Sequence, residues 1–180
     1  NIVKQIRFFL FKNCFSPINP SLNSKYLLRQ IPKGKPFLLT VSRFDVLKGQ
    51  FRLLCFIKKN YSLSKKYNFL FIGDGTEFKN CKDYKEEYNL KNVILLGSHE
   101  RNNLFDIYNQ ASGIIMPSFK ESYGVSIIEG LSFKKVVLTF ENSLLIDKNV
   151  KLIDPNIIYS IKKIDQLLKW NSKIKNSVIF

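Results

Sequence analysis

Cysteine is scarce in this chain of 180 residues: Cys14, Cys55 and Cys81 are the only 3, and no close spacing joins them. That excludes a zinc knuckle and a disulfide framework, and a reducing cytoplasm is the expected compartment. Histidine is scarcer still, His99 standing alone. With no orienting partner in view, it is better read as a helix-end or solvent-facing residue than as a general base. Acidic residues are few, 14 against 29 Lys and Arg, for a formal charge of +15. The balance favours anionic partners without choosing among nucleotides, nucleic acid and acidic membrane. The lysines are scattered rather than gathered in one block, as compositional drift alone would also leave them. Long apolar runs are missing: Phe8 to Phe11 and Val136 to Phe140 fall far short of the roughly 18 to 20 residues that span a bilayer. The chain opens on Asn1, and Ile2 to Phe15 lacks a small-residue cleavage pattern. The opening is therefore expected to lie in the middle of a longer chain. No internal repeat or low-complexity tract is evident.

What is present is rhythm. Phe37 to Val41, Asn68 to Ile72, Asn92 to Leu96, Gly113 to Met116 and Lys135 to Phe140 are short, nearly continuous apolar runs, as parallel strands covered on both faces require. Between them, Lys48 to Asn60, Thr76 to Tyr88, Arg101 to Gln110 and Val125 to Phe133 place apolar residues three or four apart, the period of helices lying on a sheet. Val150 to Ile153 reads as a short further strand and Ile157 to Trp170 as a last amphipathic helix. The prolines and glycine of Ser16 to Lys35 punctuate a linker. The expected fold is α/β: a Rossmann-like, doubly wound parallel sheet with helices on both faces. Residues 1–35 are expected to be the end of a preceding domain and a linker, and 36–180 the domain itself.

Such sheets bind ligands beyond the carboxyl ends of their strands. After the first run stands Ser42-Arg43-Phe44-Asp45-Val46-Leu47-Lys48-Gly49. Arg43 leaves the strand tip and Lys48 is expected to open the following helix, so fork and point charge converge on one anion. A lysine at a helix start opposes the helix dipole, a conflict that an anionic ligand removes. The plainer alternative is two solvated surface cations. After the fourth run come Pro117 to Gly130, with Glu121 and Glu129 eight apart across a strand-to-helix turn. Gly124 permits close backbone approach, and the free N–H groups of Tyr123 to Ser126 make an anion site. Glu129, one turn inside the helix, can reach past a bound phosphate to sugar hydroxyls. Alternatively, Glu121 is merely exposed and Glu129 pairs with a lysine.

Taken together, these features resemble the retaining glycosyltransferases of the large family four, which have the two-domain GT-B fold. Arg43 and Lys48-Gly49 resemble that family's Arg and Lys-Gly pair, and Glu121 through Glu129 its Glu-x7-Glu motif. Phe71-Ile72-Gly73-Asp74-Gly75, Val93 to Gly97, Tyr108 to Ser112 and Met116-Pro117-Ser118 follow in register, so the resemblance runs from about Phe37 to Phe140. It implies a donor-binding, C-terminal half. Arg43 and Lys48 would hold the diphosphate and stabilise it as it leaves, and Glu121 would orient the sugar. The backbone of Ser122, Tyr123, Gly124 and Val125 would contact sugar and phosphate. Glu129 would take the ribose hydroxyls, and Gly97-Ser98 would line the base. No cofactor or metal is expected, since these cations suffice and no Asp-x-Asp cluster is present.

Three departures qualify the resemblance. The acceptor-binding domain is absent from the sequence, Glu141-Asn142-Ser143 lacks the family's glycine-bearing loop, and the tail after Leu152 is short. The expected function is transfer from a nucleoside-diphosphate sugar to a glycan or lipid-linked acceptor in cell-envelope polysaccharide synthesis, with the acceptor held by the missing domain. The expected location is the cytoplasm, with peripheral attachment to an anionic membrane face and no specific nucleic acid. Two alternatives stand beside it: a nucleotide-sugar-binding domain without turnover, and a basic nucleic-acid- or membrane-binding protein.

Overall fold

A computed structural model describes residues 22–119, 125–141 and 147–169. The expected alternation of strand and helix is present. Helix α1 (Leu22–Arg29) leads into β1 (Phe37–Val41), a 3-10 turn (Val46–Lys48), α2 (Gln50–Lys59), α3 (Tyr61–Lys66) and β2 (Asn68–Ile72). Helix α4 (Phe78–Glu87), β3 (Val93–Leu95), a second 3-10 turn (Arg101–Leu104), α5 (Phe105–Gln110) and β4 (Gly113–Met116) follow. The chain continues through α6 (Val125–Ser132), β5 (Val137–Thr139), β6 (Val150–Leu152) and α7 (Ile161–Leu167). The six strands form one sheet in the order β3-β2-β1-β4-β5-β6. Every neighbouring pair is parallel.

Burial on both faces explains the continuous apolar runs. Leu38, Phe69, Phe71, Ile115 and Leu138 point to one layer with Leu53, Leu54, Phe56 and Ile57 of α2 and Ile164 of α7. Leu39, Leu70, Ile72, Ile114 and Met116 point to the other, with Ile107 and Tyr108 of α5 and Ile127 and Leu131 of α6. Successive residues thus serve opposite cores, as the two-residue strand period dictates. Helix α6 lies tight on the sheet because Gly130 leaves room: a Cβ there would sit 2.7 Å from Ile114 Cγ1.

Three readings need correction. The segment expected to be a linker contains α1, and its Leu27 and Ile31 are buried in the second core. Prolines 17, 20 and 32 flank that helix rather than forbid it. Lys48 does not open α2. It closes the 3-10 turn, Gly49 follows in the left-handed region with φ 68°, and α2 begins at Gln50. The predicted helix from Ile157 to Trp170 is shorter, starting at Ile161 where Ser160 Oγ accepts from the Lys163 N–H. Trp170 lies outside the described residues, as do Phe8, Phe9, Phe11 and Cys14.

Candidate functional site

The chain runs outward from β1 through β2 to β3, then returns to the other side of β1 to lay down β4. The winding therefore reverses between β1 and β4, and the loops that follow these two strands diverge to opposite faces. Open sheets of this kind place their ligand crevice at that reversal. The loop after β1 carries Arg43 and Lys48, and the loop after β4 leads into α6 with Val125 and Glu129.

The two loops are fastened together. The Phe119 N–H donates to Leu47 O at 2.9 Å. Gly49 passes so close to Pro117 that a Cβ would lie 2.3 Å from the Pro117 carbonyl oxygen. Ser126 Oγ, in the first turn of α6, donates to Val41 O at 2.7 Å and ties that helix start to the tip of β1. The glycines after β2 play a similar part: Cβ atoms at Gly73 and Gly75 would meet Ser42 O and Phe44 O at 2.0 and 2.3 Å. Their role is to seat the β2 loop against the arginine-bearing loop.

Asp45 organises the first loop. Its carboxylate accepts from the Lys48 N–H at 2.9 Å and the Arg43 Nε at 3.0 Å. Partial burial opposes the charged form, but the Lys48 N–H and the Arg43 guanidinium outweigh it and hold the carboxyl below its ordinary value. The cap is thus present at neutral pH and is lost as pH falls through that lowered value. The dipole conflict expected for Lys48 does not arise, because Asp45 caps the turn. The Arg43 side chain is 78% exposed. An ion pair so open contributes little, so the guanidinium can exchange Asp45 for a ligand anion at small cost. Gln50, fully buried, holds the same loop through Nε2 to Ser42 Oγ and Arg43 O, each at 2.7 Å.

Glu129 is buried, 5% exposed, and partnered differently from either sequence-based expectation. Tyr108 donates its hydroxyl to Glu129 Oε2 at 2.7 Å, and Arg101 Nε stands 3.5 Å from Oε1. No lysine is involved in these contacts. Burial raises the Glu129 carboxyl above its ordinary value, against the lowering effects of Tyr108 and Arg101. A raised folded-state value means that the ionised carboxylate costs stability at neutral pH, and that the cost fades as pH falls below the folded value. Glu129→Gln is accordingly expected to gain stability at neutral pH, keeping an acceptor for Tyr108, with the gain shrinking toward acid. Denaturant unfolding at several pH values checks this; a loss of stability across the range would refute it.

Gly97 and Ser98 lie at the same carboxyl edge but two strands from β1, beyond β3. Gly97 O accepts from the Gly73 N–H at 2.7 Å, and the space about its Cα is open. His99 Nε2 is 3.0 Å from Leu96 O, a local turn contact in keeping with its bland reading. Glu121, Ser122, Tyr123 and Gly124 lie outside the described residues. Glu141 pairs with Arg52 at 2.9 Å, and the Arg52 guanidinium lies 4.5 Å from the Phe119 ring centre. That bridge ties the β5 loop to the β4 loop. Gln50, Arg52, Arg101 and Tyr108 were missed in the sequence because their partners lie at separations that follow no motif, whereas Asp45, inside the quoted Ser42 to Gly49 segment, was given no role although the Lys48 N–H stands at ordinary capping spacing from it.

Among known proteins, the chain is 27% identical over 95 residues to an uncharacterized glycosyltransferase of Methanocaldococcus jannaschii, covering 46% of this chain and 27% of that one. A glycosyltransferase structure from Rickettsia africae superposes with a TM-score of 0.65 at 21% identity, covering 84% of this chain and 42% of the other. An S. aureus TarM variant in complex with fondaparinux, alpha-GlcNAc-glycerol and UDP gives 0.61 at 22% identity, covering 77% and 29%. The chain therefore spans less than half the length of each of these proteins, and shares with the solved ones the Rossmann-like fold expected of a GT-B half. The family model of glycosyl transferases group 1 matches residues 29–176, and the chain belongs to that family.

Proposed function

We propose that this glycosyltransferase domain binds a nucleoside-diphosphate sugar at the β1–β4 reversal and, within its whole protein, transfers the sugar with retention in the manner of family four. One observation carries the reading: the arginine- and lysine-bearing loop and the start of α6 flank the single point where the sheet's winding reverses, and direct contacts fasten them together. There Arg43 and Lys48 take the diphosphate and offset the charge that develops as it leaves. Backbone N–H groups at the start of α6 assist, with Ser122, Tyr123, Gly124 and Val125 against sugar and phosphate. Glu121 orients the sugar, Glu129 accepts from the ribose, and Gly97-Ser98 lines the base. The scheme uses no metal or other cofactor.

A uridine-linked donor is supported by the UDP in the TarM complex, and a glycan acceptor by its sugar-bearing ligands, while a lipid-linked acceptor is the alternative we carry. Acceptor recognition is assigned to a further domain of the whole protein, working on the cytoplasmic side against an anionic membrane in envelope polysaccharide synthesis. No helix among the described residues is long and apolar enough to cross a membrane.

Titration with uridine, guanosine and adenosine diphosphate sugars tests the donor assignment. One base is expected to bind at least tenfold more tightly than the others, with Glu129→Ala weakening it about tenfold or more, the loss of one charge-assisted hydrogen bond. Equal, weak binding of all three, unchanged in Glu129→Ala, would overturn it. A second reading, donor binding without turnover, draws on the engagement of Glu129 by Tyr108 and Arg101. Binding without transfer by the complete protein would favour it.

A further inference from the structure

The opposite edge of the sheet holds a second concave feature. A cavity of about 700 Å³ opens where β1, β2 and β3 begin, between the turn before β1, the end of α2, α3, and the turn before β3. Lys33, Lys35, Lys58, Lys65 and Lys91 line it, and none of the described residues that line it is acidic. All five lysines are exposed. Two are held in place: Lys35 Nζ donates to Ser64 O at 2.9 Å, and Lys58 Nζ sits 3.2 Å from the Tyr88 ring centre. Five cations around one concavity, with no carboxylate among its described lining residues, repel one another and are relieved by an anion.

Beside the cavity stand exposed apolar side chains. Tyr61 is 69% exposed, and Ile157 and Ile158 are 51% and 66% exposed. The two segments meet, because Asn60, next to Tyr61, donates to Ile157 O at 3.4 Å and accepts from the Tyr159 N–H at 2.5 Å. A free phosphate or a nucleic-acid backbone uses the lysines alone. A bilayer surface uses both features: anionic headgroups attract lysines while an aromatic and two isoleucines settle at the headgroup boundary.

We infer that this lysine-ringed cavity, with its Tyr61 and Ile157-Ile158 flank, is the face through which the protein docks on anionic phospholipid. The inference rests on the membrane part of the proposed function and names the surface responsible. Because the cavity and the donor crevice lie at opposite strand ends, docking leaves the crevice facing away from the bilayer.

The test is co-sedimentation of the full chain at low salt with phosphatidylcholine vesicles and with equimolar phosphatidylcholine and phosphatidylglycerol. Binding is expected only to the anionic vesicles. The triple variant Lys33→Ala, Lys65→Ala, Lys91→Ala is expected to bind them on the order of 100-fold more weakly, each lysine near the surface supplying about a fivefold factor. The control Lys25→Ala, Lys82→Ala, Lys148→Ala removes equal charge from exposed positions elsewhere and is expected to lose far less. Replacing Ile157 and Ile158 by serine should lower the fraction that survives moderate salt. Circular dichroism and nucleotide-sugar titration of every variant keep folding and donor binding in view. No binding of the parent chain to anionic vesicles would overturn both the surface and the membrane reading. Equal losses in the two triple variants would overturn the surface alone. Tighter retention by a single-stranded oligonucleotide, lost in the cavity variant, would assign the cavity to nucleic acid instead.

Discussion

Gly49→Ala is expected to destabilise the domain by about 2 to 4 kcal/mol and to abolish tight donor binding. Two independent costs add. Gly49 adopts φ 68°, where an L side chain is strained, and its Cβ would lie 2.3 Å from Pro117 O, a backbone atom that cannot swing aside. Relief requires the loop after β1 to part from the loop after β4, breaking the bond from Phe119 to Leu47 and spreading the crevice. Gly34→Ala separates the two costs. Gly34 is also left-handed, at φ 88°, but a Cβ there meets nothing within 4 Å, so about 1 kcal/mol is expected. Denaturant unfolding of both variants, with nucleotide titration of the folded fraction, provides the comparison. Similar destabilisation by the two would show that the Pro117 approach is unimportant.

Lys48→Ala is expected to lower sugar transfer by the complete protein on the order of 10² to 10³-fold in kcat, while unfolding shifts by less than about 1 kcal/mol. The asymmetry follows from the local structure. The side chain leaves from the last residue of a 3-10 turn whose cap is made by its backbone N–H to Asp45, a bond that alanine retains. What is lost, on the proposed function, is the point charge assigned to the leaving diphosphate. Arg43→Ala should behave alike, and Asp45→Ala should harm both stability and transfer because it removes the cap and frees the loop. A Lys48→Ala protein that transfers sugar at the parental rate would remove Lys48 from the mechanism.

Much of the fold was legible because strands buried on both faces leave an unmistakable trace. Phe37 to Val41 and Asn68 to Ile72 are the observed β1 and β2 to the residue. Strands β3 and β5 came out shorter than their apolar runs, although the flanking Asn92 O, Leu96 N–H, Val136 O and Phe140 N–H still bond to the neighbouring strands. Helix α1 was hidden by flanking prolines, which break helices but also stand outside them. Its place became visible only when Leu27 met the second core.

The candidate site divides along the same line. Residue type and order along the chain determined that cations follow the first strand, that a glycine and a glutamate-bearing helix follow the fourth, and that both segments belong at the carboxyl edge. Such properties are local, carried by a few neighbouring residues and one strand period. Only the tertiary structure decided that β1 and β4 are adjacent, so that segments some 70 residues apart in sequence come into direct contact. It also decided that Asp45 and not a helix dipole governs Lys48, and that Glu129 is gripped by Tyr108 and Arg101 from two other elements. Strand order is a choice among ways of burying the same apolar faces. The free-energy differences behind it come from long-range packing and close backbone approaches such as Gly49 on Pro117, which no local pattern encodes.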